Sequence, residues 1–105
     1  MLHEIGDVYF INCVGTTFYK IGRAQYWTDR LRQLKGANPF DLNVIATFRH
    51  PNYKEIERYL QAMYIDQKVR GEWFDLDAHA VASITKFLQA KDHALTKSTF
   101  MEVCL

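Results

Sequence analysis

A run of basic side chains lies between residues 20 and 35. It holds five lysines and arginines against one acid, Asp29, a local balance of +4, although the whole chain carries a net charge of only +1. Such a face favours local binding of phosphate over general adhesion to polyanions. A solvated helix face explains a charge run of this size equally well. The five basic residues are Lys20, Arg23, Arg30, Arg32 and Lys35.

The hydrophobic pattern around this run predicts the elements that hold it. Residues 8–11 and 17–21 are rich in β-branched and aromatic side chains, which predicts the two strands of a hairpin. A short helix follows, with Thr28 as its N-cap and Gly36 just after its last turn. Alternating apolar and polar residues over 41–48 predict a third strand.

The second half of the chain is predicted to be mainly helical. Asn52 with Glu55 resembles a capping box and begins a helix that runs to about Asp66. A compact turn element occupies 70–74, and Asp77 caps a last helix. The predicted fold is α/β (α+β), in the order ββαβα plus a C-terminal helix, with a small three-stranded antiparallel or mixed sheet and flanking helices. We expect one domain over 1–91 and a tail, 92–105, whose residues 99–103 could add an edge strand.

Composition narrows the class of protein. At 105 residues the chain has room for one core. No apolar run approaches the roughly 18–20 residues that a membrane helix needs, and the first residues lack the layout of a signal peptide. We therefore expect a cytoplasmic protein with no membrane partner. Cys13 and Cys104 form no C-x-x-C pattern and are expected to be reduced thiols.

Single polar residues carry little weight alone, because a strand tyrosine usually packs and a lone surface arginine is usually solvated. Order and spacing add weight. The sequence has Asp7-Val8-Tyr9, then Lys20-Ile21-Gly22, then Arg30 eight residues after the glycine, and then Glu57 on the second long helix. Together these resemble the GIY-YIG nuclease superfamily.

The resemblance is to the phage- and bacteria-associated branch whose second motif is Lys-Ile-Gly. That branch continues with an Arg-Leu-x-x-Leu helix, matched at 30–34, and closes with a Gly-Glu-Trp-Phe block, matched at 71–74. The resemblance spans about two thirds of the chain, residues 7–76.

The resemblance implies roles for three of these residues. Tyr9 would accept a proton from the attacking water or help to position it. Arg30 would contact the scissile phosphate and stabilise its developing charge. Glu57 would be the single protein ligand of Mg²⁺ (or Mn²⁺), with one ion per site and a shell completed by phosphate and water. Lys20 stands where the superfamily has its second tyrosine.

Lys20 suggests a way to activate Tyr9. A free tyrosine has a pKa of about 10, so only about one in a thousand is phenolate at neutral pH. A nearby cation lowers such a pKa. We therefore hypothesise that Lys20, together with Arg30, lowers the pKa of Tyr9 if the side chains converge.

Five residues are expected on the substrate side of the site. Gly22 would let a backbone approach closely, and three cations would supply positive surface. Trp73 has two interpretations of equal weight, stacking on a base or closing the core. The five residues are Gly22, Arg23, Arg32, Lys35 and Trp73.

Two positions depart from the superfamily pattern. Asp7 occupies the place of a glycine, where it would either repel a phosphate or contribute to the metal site. Gln61 lies four residues after Glu57, where relatives of this branch often have histidine. Glutamine does not relay protons as histidine does.

The leading hypothesis is a metal-dependent endonuclease that hydrolyses DNA. A domain this small offers a limited interface, so we expect weak sequence specificity, supplemented by a homodimer or a separate specificity partner. One alternative is a catalytically reduced module of the same fold that binds nucleic acid or protein. Another is an unrelated α/β domain in which Tyr9, Arg30 and Glu57 are structural. That alternative fails if these side chains and Lys20 line one solvent-open concavity.

Overall fold

A computed structural model of the chain describes residues 5–91. The elements within that range alternate between strands and helices. They are β1 (Gly6–Cys13), β2 (Phe18–Ala24), α1 (Trp27–Ala37), β3 (Leu42–His50), α2 (Tyr53–Met63), β4 (Lys68–Arg70), β5 (Trp73–Asp75) and α3 (Ala78–Lys91), with a 3₁₀ turn at Ile65–Gln67. The edge strand predicted at 99–103 and Cys104 lie outside the described residues.

The strands form one five-stranded sheet in the order β3-β1-β2-β5-β4, and every neighbouring pair is antiparallel. The mixed α and β class and the three long strands are confirmed, whereas the prediction of a three-stranded sheet is wrong. β4 and β5 have three residues each, too short to show the alternation by which a strand is recognised. Their turn depends on Gly71, whose φ of 57° suits glycine.

The sheet is covered on both faces, because successive side chains of a strand point to opposite sides. One face packs against α2 and α3 in a core that contains Phe10, Ile21 and Leu60. The other face packs against α1 in a smaller core built on Tyr9 and Ile11. No helix within residues 5–91 is long and apolar enough to cross a membrane.

The helix ends differ in detail from the predictions. α1 begins with Tyr26 as its N-cap rather than Thr28, and it continues through Gly36. Asn52 precedes α2 as predicted, but its side chain makes no capping hydrogen bond. The Asp77 carboxylate accepts a hydrogen bond of 2.8 Å from a backbone N–H in the first turn of α3, so that cap is confirmed.

Position 22 has room only for glycine, because of its cross-strand neighbour. It lies directly opposite Tyr9 in the β1–β2 pair. A β-carbon at Gly22 would collide with the ring and the hydroxyl of Tyr9. The group that approaches this glycine is therefore the Tyr9 ring, whereas the resemblance implied the close approach of a backbone.

Replacing Gly22 by alanine should destabilise the protein by about 1–3 kcal/mol, because the new methyl group forces Tyr9 out of a packed position. The matched control is Gly36→Ala, a glycine of α1 where an added methyl group would meet no atom of another element within 4 Å. The control should be neutral or more stable, by up to about 1 kcal/mol. Urea unfolding midpoints measure both. Equal stability of the two variants would contradict the contact between Gly22 and Tyr9.

Candidate active site

The β1–β2 hairpin and α1 bring a phenol and a guanidinium into contact. The strand register pairs Tyr9 with Gly22 and Ile11 with Lys20, so all four residues share one face of the sheet. α1 packs on the same face and carries Arg30. The Arg30 Nε–H donates a hydrogen bond of 3.3 Å to the Tyr9 hydroxyl oxygen.

Glu72, in the turn between β4 and β5, joins this pair from the other side. The Tyr9 hydroxyl donates a hydrogen bond of 3.4 Å to Glu72 Oε1. The same carboxylate oxygen lies 3.4 Å from Lys20 Nζ. The backbone carbonyl of Glu72 accepts a hydrogen bond of 3.1 Å from the Ile21 N–H, which fixes the turn against β2. Glu72 is thus the hub of the polar contacts around Tyr9.

α2 reaches the site because the outer edge of β2 is only partly paired. β5 covers β2 over Phe18–Lys20 and leaves the rest of that edge to α2. Gln61 Nε2 donates a hydrogen bond of 2.7 Å to the free carbonyl of Ile21. One turn earlier on the same side of α2, buried Glu57 pairs with Arg23 Nη1 at 3.5 Å. Gln61 therefore attaches the helix that carries Glu57.

Burial is the first cause of a raised pKa in two acidic groups of this cluster. The pKa of Glu57 is raised, first by burial and then by the negative charge of Glu72, against a lowering influence of Arg23. The pKa of Tyr9 is also raised, chiefly by burial. Tyr9 is consequently a neutral phenol at physiological pH.

The hypothesis that neighbouring cations lower the pKa of Tyr9 is therefore wrong in its net direction. The Arg30 hydrogen bond does act to lower that pKa, but burial outweighs it and Glu72 acts with burial. The nearest anion to Lys20 is Glu72, so the lysine charge acts on the carboxylate instead of the phenol.

The structure brings most of the predicted site residues together. Arg30 contacts Tyr9 directly, and Glu72 links Tyr9 to Lys20 and Glu57. Arg23 joins the cluster through its pair with Glu57. Tyr9 itself is nevertheless closed to solvent, with 0% of its surface exposed, although the Glu72 and Arg23 side chains are 35% and 40% exposed. The solvent-open concavity expected of an active site is not present over the hydroxyl itself.

Three predicted substrate-side residues lie on the rim or beyond it. Lys20 Nζ lies 5.3 Å from the centre of the Trp73 ring, which puts Trp73 at the rim. Arg32 pairs with Asp29 at 3.3 Å on the exposed side of α1. Lys35 is exposed in the last turn of that helix.

The sequence singles out Glu72 only as part of the Gly-Glu-Trp-Phe block. The available signal was a carboxylate next to a turn glycine in a block already singled out, but only the β2–β5 register connects it to Tyr9. Asp7 proves to be a cross-strand partner of Arg49, at 3.6 Å, and belongs to the sheet.

Glu57 is the carboxylate of this cluster that could hold a Mg²⁺ or Mn²⁺ ion. Within residues 5–91 no three metal-binding side chains cluster. Mg²⁺ is commonly held by one or two carboxylates, with waters and substrate phosphates as its other ligands. Glu57 is such a carboxylate, and a cation there would offset the negative charge of Glu72, which together with burial raises the pKa of Glu57.

The fold and the site define a small α+β domain in which an antiparallel sheet buries a tyrosine between an arginine and a glutamate. The chain belongs to the T5orf172 domain family, whose model matches residues 6–89. This family comprises phage-associated, nuclease-like domains, compatible with a function on nucleic acid. No match was found among curated proteins or among solved structures.

The assignment to the GIY-YIG superfamily is thereby corrected, since the matching family is a different one. The motifs behind that assignment are short, and much of each is dictated by packing. Val8, Ile21 and Phe74 have no exposed surface. Apolar residues at these points are what any sheet with this hairpin needs, so they identify the architecture better than the family.

Glu57→Gln should make the protein more stable at neutral pH. The folded-state pKa of Glu57 is raised, so its contribution to stability is complete below the unfolded pKa and is lost as the pH rises through the folded pKa. Glutamine is neutral throughout and avoids that loss. Urea midpoints across pH should therefore separate above the folded pKa and converge in acid.

The control is Glu55→Gln, an acidic residue exposed in the first turn of the same helix. It should not gain stability at neutral pH, because its carboxylate is solvated. A loss of stability in Glu57→Gln at neutral pH would mean that the Arg23 pair outweighs burial.

Proposed function

We propose that the protein is a metal-dependent endonuclease that hydrolyses phosphodiester bonds of DNA. The observation that carries the proposal is the contact of three separate elements at one hydroxyl. Tyr9 lies between Arg30 of α1 and Glu72 of the β4–β5 turn, at 3.3 and 3.4 Å. Membership of the chain in a nuclease-like family supports the same proposal.

Arg30 is the residue best suited to hold the scissile phosphate. Its Nε donates to Tyr9, and its Nη1 donates only a long hydrogen bond of 3.4 Å to Gln33. The remaining guanidinium N–H groups are available to phosphate oxygens, which guanidinium groups bind strongly. Stabilisation of the charge that develops there lowers the barrier to attack.

Tyr9 would act as a proton relay, since a neutral phenol accepts a proton only by passing on its own. As the water oxygen bonds to phosphorus, its proton moves to the Tyr9 oxygen, and the Tyr9 proton moves to the Glu72 carboxylate. The phosphorus–oxygen bond to the leaving strand then breaks, the leaving oxygen takes a proton from solvent, and Glu72 returns its proton to solvent. Arg30 keeps its hydrogen bond to Tyr9 and fixes the ring during the transfer.

Two features complete the proposed site. Mg²⁺ or Mn²⁺ held by Glu57 would supply Lewis-acid stabilisation of the phosphate. The Tyr9 hydroxyl is hydrogen-bonded to Glu72, and the Glu72 side chain is 35% exposed. A phosphate that competes for Lys20 would release Glu72 from it and open the way to the phenol.

One site cuts one strand, so we propose nicking as the basic activity. Cutting of both strands would need a dimer or a partner, and sequence specificity would need further surface. The closed hydroxyl of Tyr9 favours one other candidate, a nucleic-acid-binding module without turnover. The same experiment separates the two functions.

Purified protein should nick supercoiled plasmid DNA when Mg²⁺ or Mn²⁺ is added and should not do so with chelator. Arg30→Ala and Glu57→Gln should each lower the rate at least about a hundredfold, because each removes a charge that acts in the transition state. Gel conversion of supercoiled to open-circular plasmid measures the rate.

Matched controls separate catalysis from general charge effects. Glu55→Gln removes an exposed carboxylate of α2, and Lys86→Ala removes an exposed cation of α3. Both should nick within about twofold of wild type, as expected of surface changes. DNA binding without any metal-dependent nicking would establish the binding module instead.

Glu72→Gln tests the relay. Glutamine still accepts the Tyr9 hydrogen bond but takes no proton, so the rate at neutral pH should fall by about 10²–10⁴-fold with little change in KM. Loss of the Glu72 charge also lowers the pKa of Tyr9. Residual activity should then follow the phenolate and rise about tenfold per pH unit. A purely structural role would lower the whole pH profile without changing its shape.

A further inference from the structure

A groove of about 480 Å³ lies next to the site, where the end of β1, the start of β2, the loop after α1 and the β4–β5 hairpin meet. Aromatic and aliphatic side chains form most of its wall, and one arginine stands at its edge. The residues that matter here are Phe18, Phe40, Val69, Arg70 and Trp73.

The apolar wall of this groove is open. Phe40 is 67% exposed, Val69 55% and Phe18 40%. Arg70 is exposed beside them and has no ion-pair partner among residues 5–91. Uncovered rings beside an unneutralised cation suit a ligand that is flat and apolar on one side and anionic on the other.

The groove is continuous with the candidate active site. Phe18 and Lys20 are successive residues on one side of β2, about 6.6 Å apart along the strand. Trp73 lies opposite Lys20 in the β2–β5 pair, and Lys20 Nζ is 5.3 Å from the centre of its ring. A chain bound at Arg30 and Lys20 therefore needs only one further unit to enter the groove.

We propose that this groove binds an unpaired nucleotide next to the cleaved bond, with its base against the aromatic rings and its phosphate at Arg70. Stacking on aromatic side chains beside a basic track is how proteins bind single strands. A paired base has its faces covered by its neighbours in the stack. The substrate class is thus DNA with a single-stranded stretch beside the scissile phosphate. The inference rests on the proposed function and specifies its substrate.

The test is equilibrium binding of fluorescein-labelled oligothymidylate and of duplex DNA of equal length, with chelator present so that nothing is cut. Wild type should bind the single strand more tightly. Phe40→Ala should weaken that binding at least about fivefold and leave duplex binding within about twofold. Arg70→Gln should also weaken it and reduce its dependence on salt.

Two further measurements tie the effect to the groove. Met63→Ala, in the last turn of α2, removes a side chain that is 50% exposed and outside the groove, and it should bind like wild type. Bound single strand should quench tryptophan emission in wild type and lose that effect in Trp73→Phe, which keeps Trp27. Thermal unfolding checks that each variant is folded.

Specific results overturn the proposal. Equal affinity of wild type for both DNA forms, unchanged by Phe40→Ala, excludes a nucleotide subsite. A dimer in sedimentation that Phe40→Ala dissociates makes the groove a contact between copies of the chain. Plasmid nicking is scored separately. Single-strand binding without nicking would reject the endonuclease and keep the subsite. Nicking without a preference for single strands would keep the endonuclease and reject the subsite.

Discussion

The packing of one phenol against one glycine determines the arrangement of the site. The Tyr9 ring lies over Gly22 on one side and stacks on Trp27 of α1, with ring centres 4.9 Å apart. A buried hydroxyl must find hydrogen-bond partners, and here it finds Arg30 and Glu72. The register of the hairpin, the position of α1 and the docking of the β4–β5 turn are all tied to that demand. The polar cluster is therefore part of the fold as well as a candidate for chemistry.

The cluster also concentrates the unfavourable electrostatics of the domain. Burial and Glu72 both disfavour the charged form of Glu57, and the guanidinium of Arg23 offsets only part of this. Isolated buried carboxylates are rare because their desolvation is costly. Binding and catalytic sites commonly retain such unfavourable charge interactions, which lower the stability of the fold. Elsewhere the domain has an apolar core that contains Phe10, Ile21 and Leu60. Burial of this core offsets the free-energy cost of burying the Glu57 carboxylate.

Sequence patterns predict the long elements of this fold and miss the short ones. β1, β2, β3, α2 and α3 follow from alternation, periodicity and capping, each of which is local. β4 and β5 exist because β2 offers an edge to pair with, which no three-residue window reveals. The same limit applies to the site. Tyr9, Arg30 and Glu57 could be nominated from order and spacing, but Glu72 joins them only through register. The sequence predicts a lowered pKa for Tyr9, whereas the structure raises it. Burial causes the difference, and burial is a property of the assembled core.

The β4–β5 hairpin has a kinetic consequence. Two strands of three residues, mostly exposed and joined at Gly71, form the least supported part of the sheet, and such hairpins are marginal without neighbours. Local opening needs far less free energy than global unfolding. Glu72 lies in the turn of this hairpin, whereas Tyr9 belongs to β1 and Arg30 to α1. Because Phe74 of β5 is fully buried in the core, an opening that moves Glu72 and leaves the core intact would be confined to β4 and the turn.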